Sequence, residues 1–132
     1  GAIANGGKAA VPRLIEKTAI PMGKGGLSLG PIFTKKTGTL IESGTAAQIA
    51  DMMARNVTET YGASRFPNMD LCAKSGTAEV GGGNAPHAWF AGFVRNPDAP
   101  YAFVVMVENG GGGSDVAGSV AAQVLDAVVN GY

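Results

Sequence analysis

The sequence predicts an α+β fold, a three-stranded antiparallel sheet packed by helices, and three observations predict it. A helical apolar pattern over residues 45–61 precedes three strand-like segments. The last two of these segments are joined only by turn formers, Arg95-Asn96-Pro97-Asp98-Ala99-Pro100, which makes them an antiparallel hairpin. A second helical pattern then closes the chain. With 132 residues, 45% of them hydrophobic and 15% charged, the chain has the length of one domain and the apolar content to bury a core.

Residues 1–7 read as the end of a helix stopped by Asn5, Gly6 and Gly7. A chain that begins on the last turn of a helix is expected to be a piece of something longer. Residues 8–41 hold short β-like stretches, Val11 to Ile15 and Ile32 to Ile41, around a Gly23-Lys24-Gly25-Gly26 loop. Thr45 and Gln48 fit a capping box for the first helix. Ile49, Met52, Met53 and Val57 form its apolar stripe, expected to be core, and Gly62 ends it. A strand is expected from about Leu71 to Val80, followed by a glycine-rich loop to Pro86. The segments Ala88–Val94 and Tyr101–Val107 are apolar at both alternating sets of positions, as in strands covered on both faces. Ser114 can cap the last helix, and Asp115 suits its first turn. Its buried face is expected to comprise Val116, Val120, Ala121, Val124, Leu125 and Val128.

Several function classes are excluded at this level. The longest apolar run, Tyr101–Val107, is far short of the roughly 20 residues a membrane-spanning helix needs. No basic and apolar leader of the secretory kind opens the sequence. The single cysteine, Cys72, and single histidine, His87, leave no disulfide framework and no His or Cys metal cluster. Cys72 is expected to be a small buried hydrophobe. Residues 1–40 carry six basic residues against Glu16 alone, and the remainder of the chain carries four against nine acids. Phe33 is the one aromatic residue among those lysines, too few for the stacking a single-strand binder uses, so nucleic acid is not an expected partner. The glycine-rich loops match neither the phosphate-binding nor the dinucleotide-binding pattern.

The informative motif is Lys74-Ser75-Gly76-Thr77-Ala78-Glu79, followed by a strand that begins near His87-Ala88-Trp89-Phe90. Lys36-Thr37-Gly38-Thr39 matches the same short pattern, but no hairpin directly follows it. Ser75 and Thr77 are two apart, so both hydroxyls lie on one face of a strand, and simple alternation puts Lys74 on the other. Gly76 permits close approach of a ligand to the backbone. His87 is read as a solvent-facing strand start and Trp89 as core packing.

Lys74 to Glu79, Ala88 to Phe93, Glu108-Asn109 and the closing helix together resemble the end of the transpeptidase domain of penicillin-binding proteins, nearest the class B, monofunctional kind. Ala73 departs from the glycine usual before the family's lysine. The resemblance implies that residues 1–132 are the C-terminal part of one such domain, with the three strands belonging to a five-stranded sheet. It also implies a serine D,D-transpeptidase that cross-links peptidoglycan stem peptides and is acylated by β-lactams. Lys74 would act in catalysis, and the Thr77 amide would form half of the oxyanion hole. Ser75, Gly76 and Thr77 would bind substrate. No metal or organic cofactor is implied. The location implied is the outer face of the bacterial cytoplasmic membrane, held by an anchor upstream of this sequence.

The family's nucleophile sits in Ser-x-x-Lys and its second motif is Ser-x-Asn, and none of the serines here fits either. The acylated serine is therefore expected upstream, and this chain alone is expected to be inactive. Alternatives on the same fold are a penicillin-binding sensor, a β-lactamase relative, or a non-catalytic surface-binding domain. The apolar edge of the 101–107 strand, free of proline and charge, is expected to be open to pairing with a second copy.

Overall fold

The computed structural model describes residues 1–12, 18–20, 27–29 and 36–131. Within these, four short strands come first: β1 (Lys8–Ala10), β2 (Thr18–Ile20), β3 (Leu27–Leu29) and β4 (Lys36–Thr39). They pair as two separate antiparallel ribbons, β1 with β4 and β2 with β3. Helix α1 (Ser43–Asn56) runs into a π-helical turn, Val57–Tyr61, and a short 3-10 turn, Ala63–Arg65. The main sheet follows, β5 (Leu71–Ala78), β6 (His87–Val94) and β7 (Ala102–Val107), antiparallel throughout in the order β5-β6-β7. A second π-helical turn, Gly113–Ala117, opens α2 (Gly118–Asn130). The α+β class and the three-stranded sheet are those the sequence predicts. The β-like stretch 11–15 falls largely outside the described residues, as does the Gly23–Gly26 loop.

The core lies on one face of the sheet. Leu71 and Ala73 from β5, and Ala88, Phe90 and Val94 from β6, meet Val57, Tyr61 and Phe66 from one side. Ala117, Ala121 and Leu125 meet them from the other. Phe90 is the hub, edge-on to Tyr61 at 5.1 Å and stacked on Phe66 at 5.9 Å. The helix α1 straddles the β5 edge. Val57 and Tyr61 of the π-helical turn that follows it join this core, whereas its own Ala50, Met53 and Ala54 pack with Cys72 and Phe93 on the opposite face.

Two expectations about the helices change. Helix α1 begins at Ser43 with Glu42 at the N-cap and no side-chain cap, so the Thr45 capping box does not form; Met52, placed in the core by its spacing, is 58% exposed. In α2 the Ser114 cap is likewise not made, and Val120, Val124 and Val128 lie half exposed while Ala117, Ala121 and Leu125 are buried. The reason is closeness of approach. A side chain at Gly113 would run into the Gly76 and Trp89 carbonyls, and one at Gly118 would reach the Phe90 ring. Small residues let the helix backbone rest on the sheet, and the bulkier valines are rotated off it.

Cover on both faces holds for β6 near Phe93 but not for β7, where Val104 and Met106 are exposed. Among the described residues no strand pairs with the outer edge of β7. The corner where α1, β5 and β6 meet is tied by Arg95. Its Nε and Nη2 donate to Asp70 at 3.0 and 2.8 Å, and its Nη1 donates to Asp51 at 3.3 Å. The Asp70 bond holds the guanidinium pKa above its ordinary value. This pairing is partly exposed, so it orients more than it stabilises.

Two measurements check this packing. Gly113→Ala is expected to cost about 3 kcal/mol through overpacking, while Gly44→Ala, where nothing lies within 4 Å of the new methyl, should gain up to about 1 kcal/mol from helix propensity. Urea denaturation distinguishes them, and equal midpoints would refute the close docking of α2. Cys72 is fully buried, and burial pushes its thiol pKa up. The folded chain therefore holds that proton more tightly than the unfolded chain. The associated stability is complete below the unfolded thiol value and is lost as pH rises from there through the folded value. Above about pH 8.5 the wild type should lose stability more steeply than Cys72→Ala, and parallel curves would contradict it.

Candidate functional site

Strand β5 changes character along its length. Leu71, Cys72 and Ala73 are buried, Lys74 is exposed, Ser75 and Gly76 are intermediate, and Thr77 and Ala78 are exposed. The buried half is anchored by α1 and by β6, where Gly92 lies so close to Cys72 and Ala73 that a side chain there would strike the Cys72 carbonyl. The exposed half carries Lys74, Ser75, Gly76 and Thr77 in register with Ala91, Phe90, Trp89 and Ala88. The chain thus puts all four predicted site residues on one strand, at the rim of the sheet.

Tyr61 stands at the boundary between the two halves. Its hydroxyl accepts the Ser75 backbone N–H at 2.9 Å and lies 3.1 Å from the Ser75 Oγ. The Ser75 amide therefore points away from β6, out over the free edge. With the two-residue period of a strand, the Thr77 amide points the same way.

The lysine reaches this edge too. Alternation starts the Lys74 side chain on the opposite face from Ser75, but its Nζ bends round to donate to the Ser75 carbonyl at 2.7 Å and comes within 3.5 Å of the Ser75 Oγ. The stem of Lys74 borders an apolar groove of about 660 Å³, lined also by Ile3, Met52, Met53 and Phe93. The Lys74 ammonium and the Ser75 hydroxyl thus meet at the strand edge, with the Thr77 side chain and its outward amide two residues along. Such a set suits a carboxylate and an oxygen that gains negative charge.

The second copy of the motif is placed differently. On β4 the Thr37 hydroxyl accepts from the Ala9 N–H at 3.0 Å and donates to the Ala9 carbonyl at 3.2 Å. Its hydrogen-bonding capacity is spent on holding the β1–β4 ribbon together. His87 begins β6 as expected, whereas Trp89 departs from its expected place in the core. The His87 Nδ1 accepts the Asn109 N–H at 3.0 Å, joining the start of β6 to the loop before α2. Trp89 is about one-third exposed on the face away from the main core.

Tyr61 and Arg65 are the residues that sequence reasoning missed. Arg65 donates to the Ser114 carbonyl at 3.1 Å and the Ser119 Oγ at 3.0 Å, pinning the start of α2 beside Phe90. The only signal for Tyr61 was a hydroxyl-bearing aromatic as the last residue of a predicted helix, just before Gly62. Among the described residues no group of three or more His, Cys, Asp or Glu could hold a metal ion, and no helix is long and apolar enough to cross a membrane.

Residues 1–128 match the family described as penicillin binding protein transpeptidase domain. The chain is 33% identical over 117 residues to a peptidoglycan D,D-transpeptidase PbpA of Mycolicibacterium smegmatis, covering 83% of this chain and 22% of that protein. An imipenem acyl-enzyme complex of penicillin-binding protein A from M. tuberculosis superposes with a TM-score of 0.75 at 27% identity, over 96% of this chain and 28% of that one. The D,D-transpeptidase domain of a peptidoglycan glycosyltransferase from Eggerthella lenta shares the fold, with a TM-score of 0.74 at 24% identity over 98% and 30% of the two chains. The chain thus spans less than a third of the length of each of these relatives.

Proposed function

The chain belongs to the penicillin-binding protein transpeptidase domain family, and from that membership we propose that it is the C-terminal part of a serine D,D-transpeptidase that cross-links peptidoglycan stem peptides. The observation that carries the proposal is the open half of β5, where Lys74, Ser75 and Thr77 gather at one edge. In this reading the hydroxyls of Ser75 and Thr77 bind the carboxylate of a donor peptide ending in D-Ala-D-Ala. The Lys74 ammonium supplies a positive charge to that carboxylate and to the proton network around it. Gly76 keeps the edge low enough for an acyl group to lie against the backbone. The Thr77 N–H donates to the carbonyl oxygen as it becomes negative in the tetrahedral intermediate.

The nucleophile is a serine that this sequence does not supply, since none of its serines lies in Ser-x-x-Lys or Ser-x-Asn. The rest of the domain would bring that serine to the β5 edge. The serine oxygen attacks the donor carbonyl, terminal D-Ala leaves, and an acceptor amine releases the acyl group as a cross-link. A β-lactam would acylate the same serine, as the relative captured with imipenem supports. The reading calls for no metal or organic cofactor. It places the parent protein at the outer face of the cytoplasmic membrane, where stem peptides are found.

Two experiments test it. The 132-residue chain incubated with a fluorescent penicillin should gain no covalent mass by intact-mass spectrometry, and a stoichiometric adduct on Ser75 or any other serine would overturn this division of labour. In the full-length protein, Lys74→Ala should slow penicillin acylation by about 100-fold or more, the scale on which single electrostatic groups act in such sites. Lys36→Ala should leave the rate within about twofold, as for a residue outside the site. Equal losses would assign the wrong copy of the motif.

A further inference from the structure

We propose that Tyr61 is a positioning residue that fixes the Ser75 hydroxyl as a hydrogen-bond donor to the substrate carboxylate, an inference that rests on the transpeptidase reading above. The donors and acceptors at this contact can be counted. A tyrosine hydroxyl has one hydrogen and accepts through its lone pairs, and a serine hydroxyl has one hydrogen and two lone pairs. The Tyr61 oxygen accepts the Ser75 N–H at 2.9 Å. Tyr61 is 5% exposed, and the acceptor within reach of its own hydrogen among the described residues is the Ser75 Oγ at 3.1 Å. The reverse arrangement, with Ser75 donating to Tyr61, would leave the part-buried phenol hydrogen without an acceptor among the described residues, which is the costlier choice. The Lys74 Nζ, a donor only, approaches the same Ser75 oxygen at 3.5 Å.

With its lone pairs facing two donors, the Ser75 oxygen presents its hydrogen to the open edge. Among the described residues nothing accepts it. A carboxylate is an acceptor only and its charge strengthens each bond it accepts, so a hydroxyl held as a donor favours the anion over its neutral ester, whose carbonyl accepts a weaker bond. The same contact closes the strand edge. The Ser75 amide is already occupied, so an extended ligand pairing along β5 meets its first open outward amide at Thr77. Tyr61 is set against Phe90 as the last residue of a π-helical turn, a local irregularity that recurs at functional positions.

The test uses Tyr61→Phe, which removes one oxygen and keeps the ring against Phe90. In the 132-residue chain, hydrogen exchange followed by NMR should show the Ser75 amide exchanging roughly tenfold faster or more, with the Thr77 amide unchanged. Unchanged Ser75 exchange would overturn the clamp. In the full-length protein, acylation is compared for a penicillin and for its methyl ester. The wild type should prefer the free acid, and Tyr61→Phe should shrink that preference roughly tenfold, the size of one hydrogen bond to a charged group, with the ester rate falling much less than the acid rate. The readout is a ratio of two compounds on one protein, so any loss of folded protein cancels. A preference unchanged in Tyr61→Phe would overturn the proposal, as would a wild type that does not distinguish acid from ester. A wild type acylated by neither compound would overturn the transpeptidase reading itself, and with it the carboxylate role, while the exchange result would still decide whether the clamp exists.

Discussion

A strand at the rim of a sheet leaves every second N–H and C=O without a partner strand, and the way β5 disposes of them governs the molecule. Its first half is buried, with Leu71, Cys72 and Ala73 enclosed by α1 and the π-helical turn. Its second half is left open, with the Tyr61 hydroxyl on the Ser75 amide and the Lys74 ammonium on the Ser75 carbonyl at the division. One strand thus serves as core and as site. A fully covered edge could not receive a ligand, and a fully open one would be an unguarded template for other strands. Placing a charge and two hydroxyls on the open half makes that half unattractive to an apolar strand and receptive to an anion.

Holding such an edge still requires support from behind, and glycine and alanine supply it by letting backbones touch. Gly92 admits β5 against β6, while Gly113 admits the turn that opens α2 against the Gly76 and Trp89 carbonyls. Arg65 fastens that same start through Ser114 and Ser119. Contacts of this kind have no soft side chain to absorb displacement, so they fix the height of the strand more tightly than larger residues would. The high glycine content, 21 residues, is in part the requirement of this close packing and not only of loops.

The elements that were legible in the sequence are those whose pattern is local. The hairpin was readable because its turn residues lie between two apolar runs, and the two helices because their spacing repeats. The motif at Lys74 was readable as chemistry because its residue types are few and their order is specific. What the sequence did not disclose depends on distance in space. Periodicity identified apolar stripes on both helices and put Ala121 and Leu125 on the buried side of α2, yet it could not say that Val120, Val124 and Val128 would be left half exposed. That choice is made by Gly113 and Gly118 meeting the sheet backbone and the Phe90 ring. The caps at Thr45 and Ser114 were plausible by composition, but the actual starts at Ser43 and Gly113 are set by where the chain must leave the sheet. Tyr61 was invisible because nothing in residues 57–62 says that a phenol will meet a strand fourteen residues on.

The two copies of the lysine-hydroxyl-glycine-threonine motif make the same point in a sharper form. Both lie on strands, in four-residue sequences that composition cannot rank. They differ in what has been left unspent. Thr37 gives its hydrogen to one backbone oxygen and takes another from the amide of the same residue, Ala9, so its hydroxyl is a rivet within a ribbon. Ser75 accepts from Tyr61 and keeps its hydrogen, and Thr77 keeps an outward amide with no partner among the described residues. A motif becomes a site only where the fold has satisfied some of its groups and withheld partners from the rest. That selection is made by the neighbouring helix and not by the motif, which is why the same residue types can hold a structure together at one place and address a ligand at another.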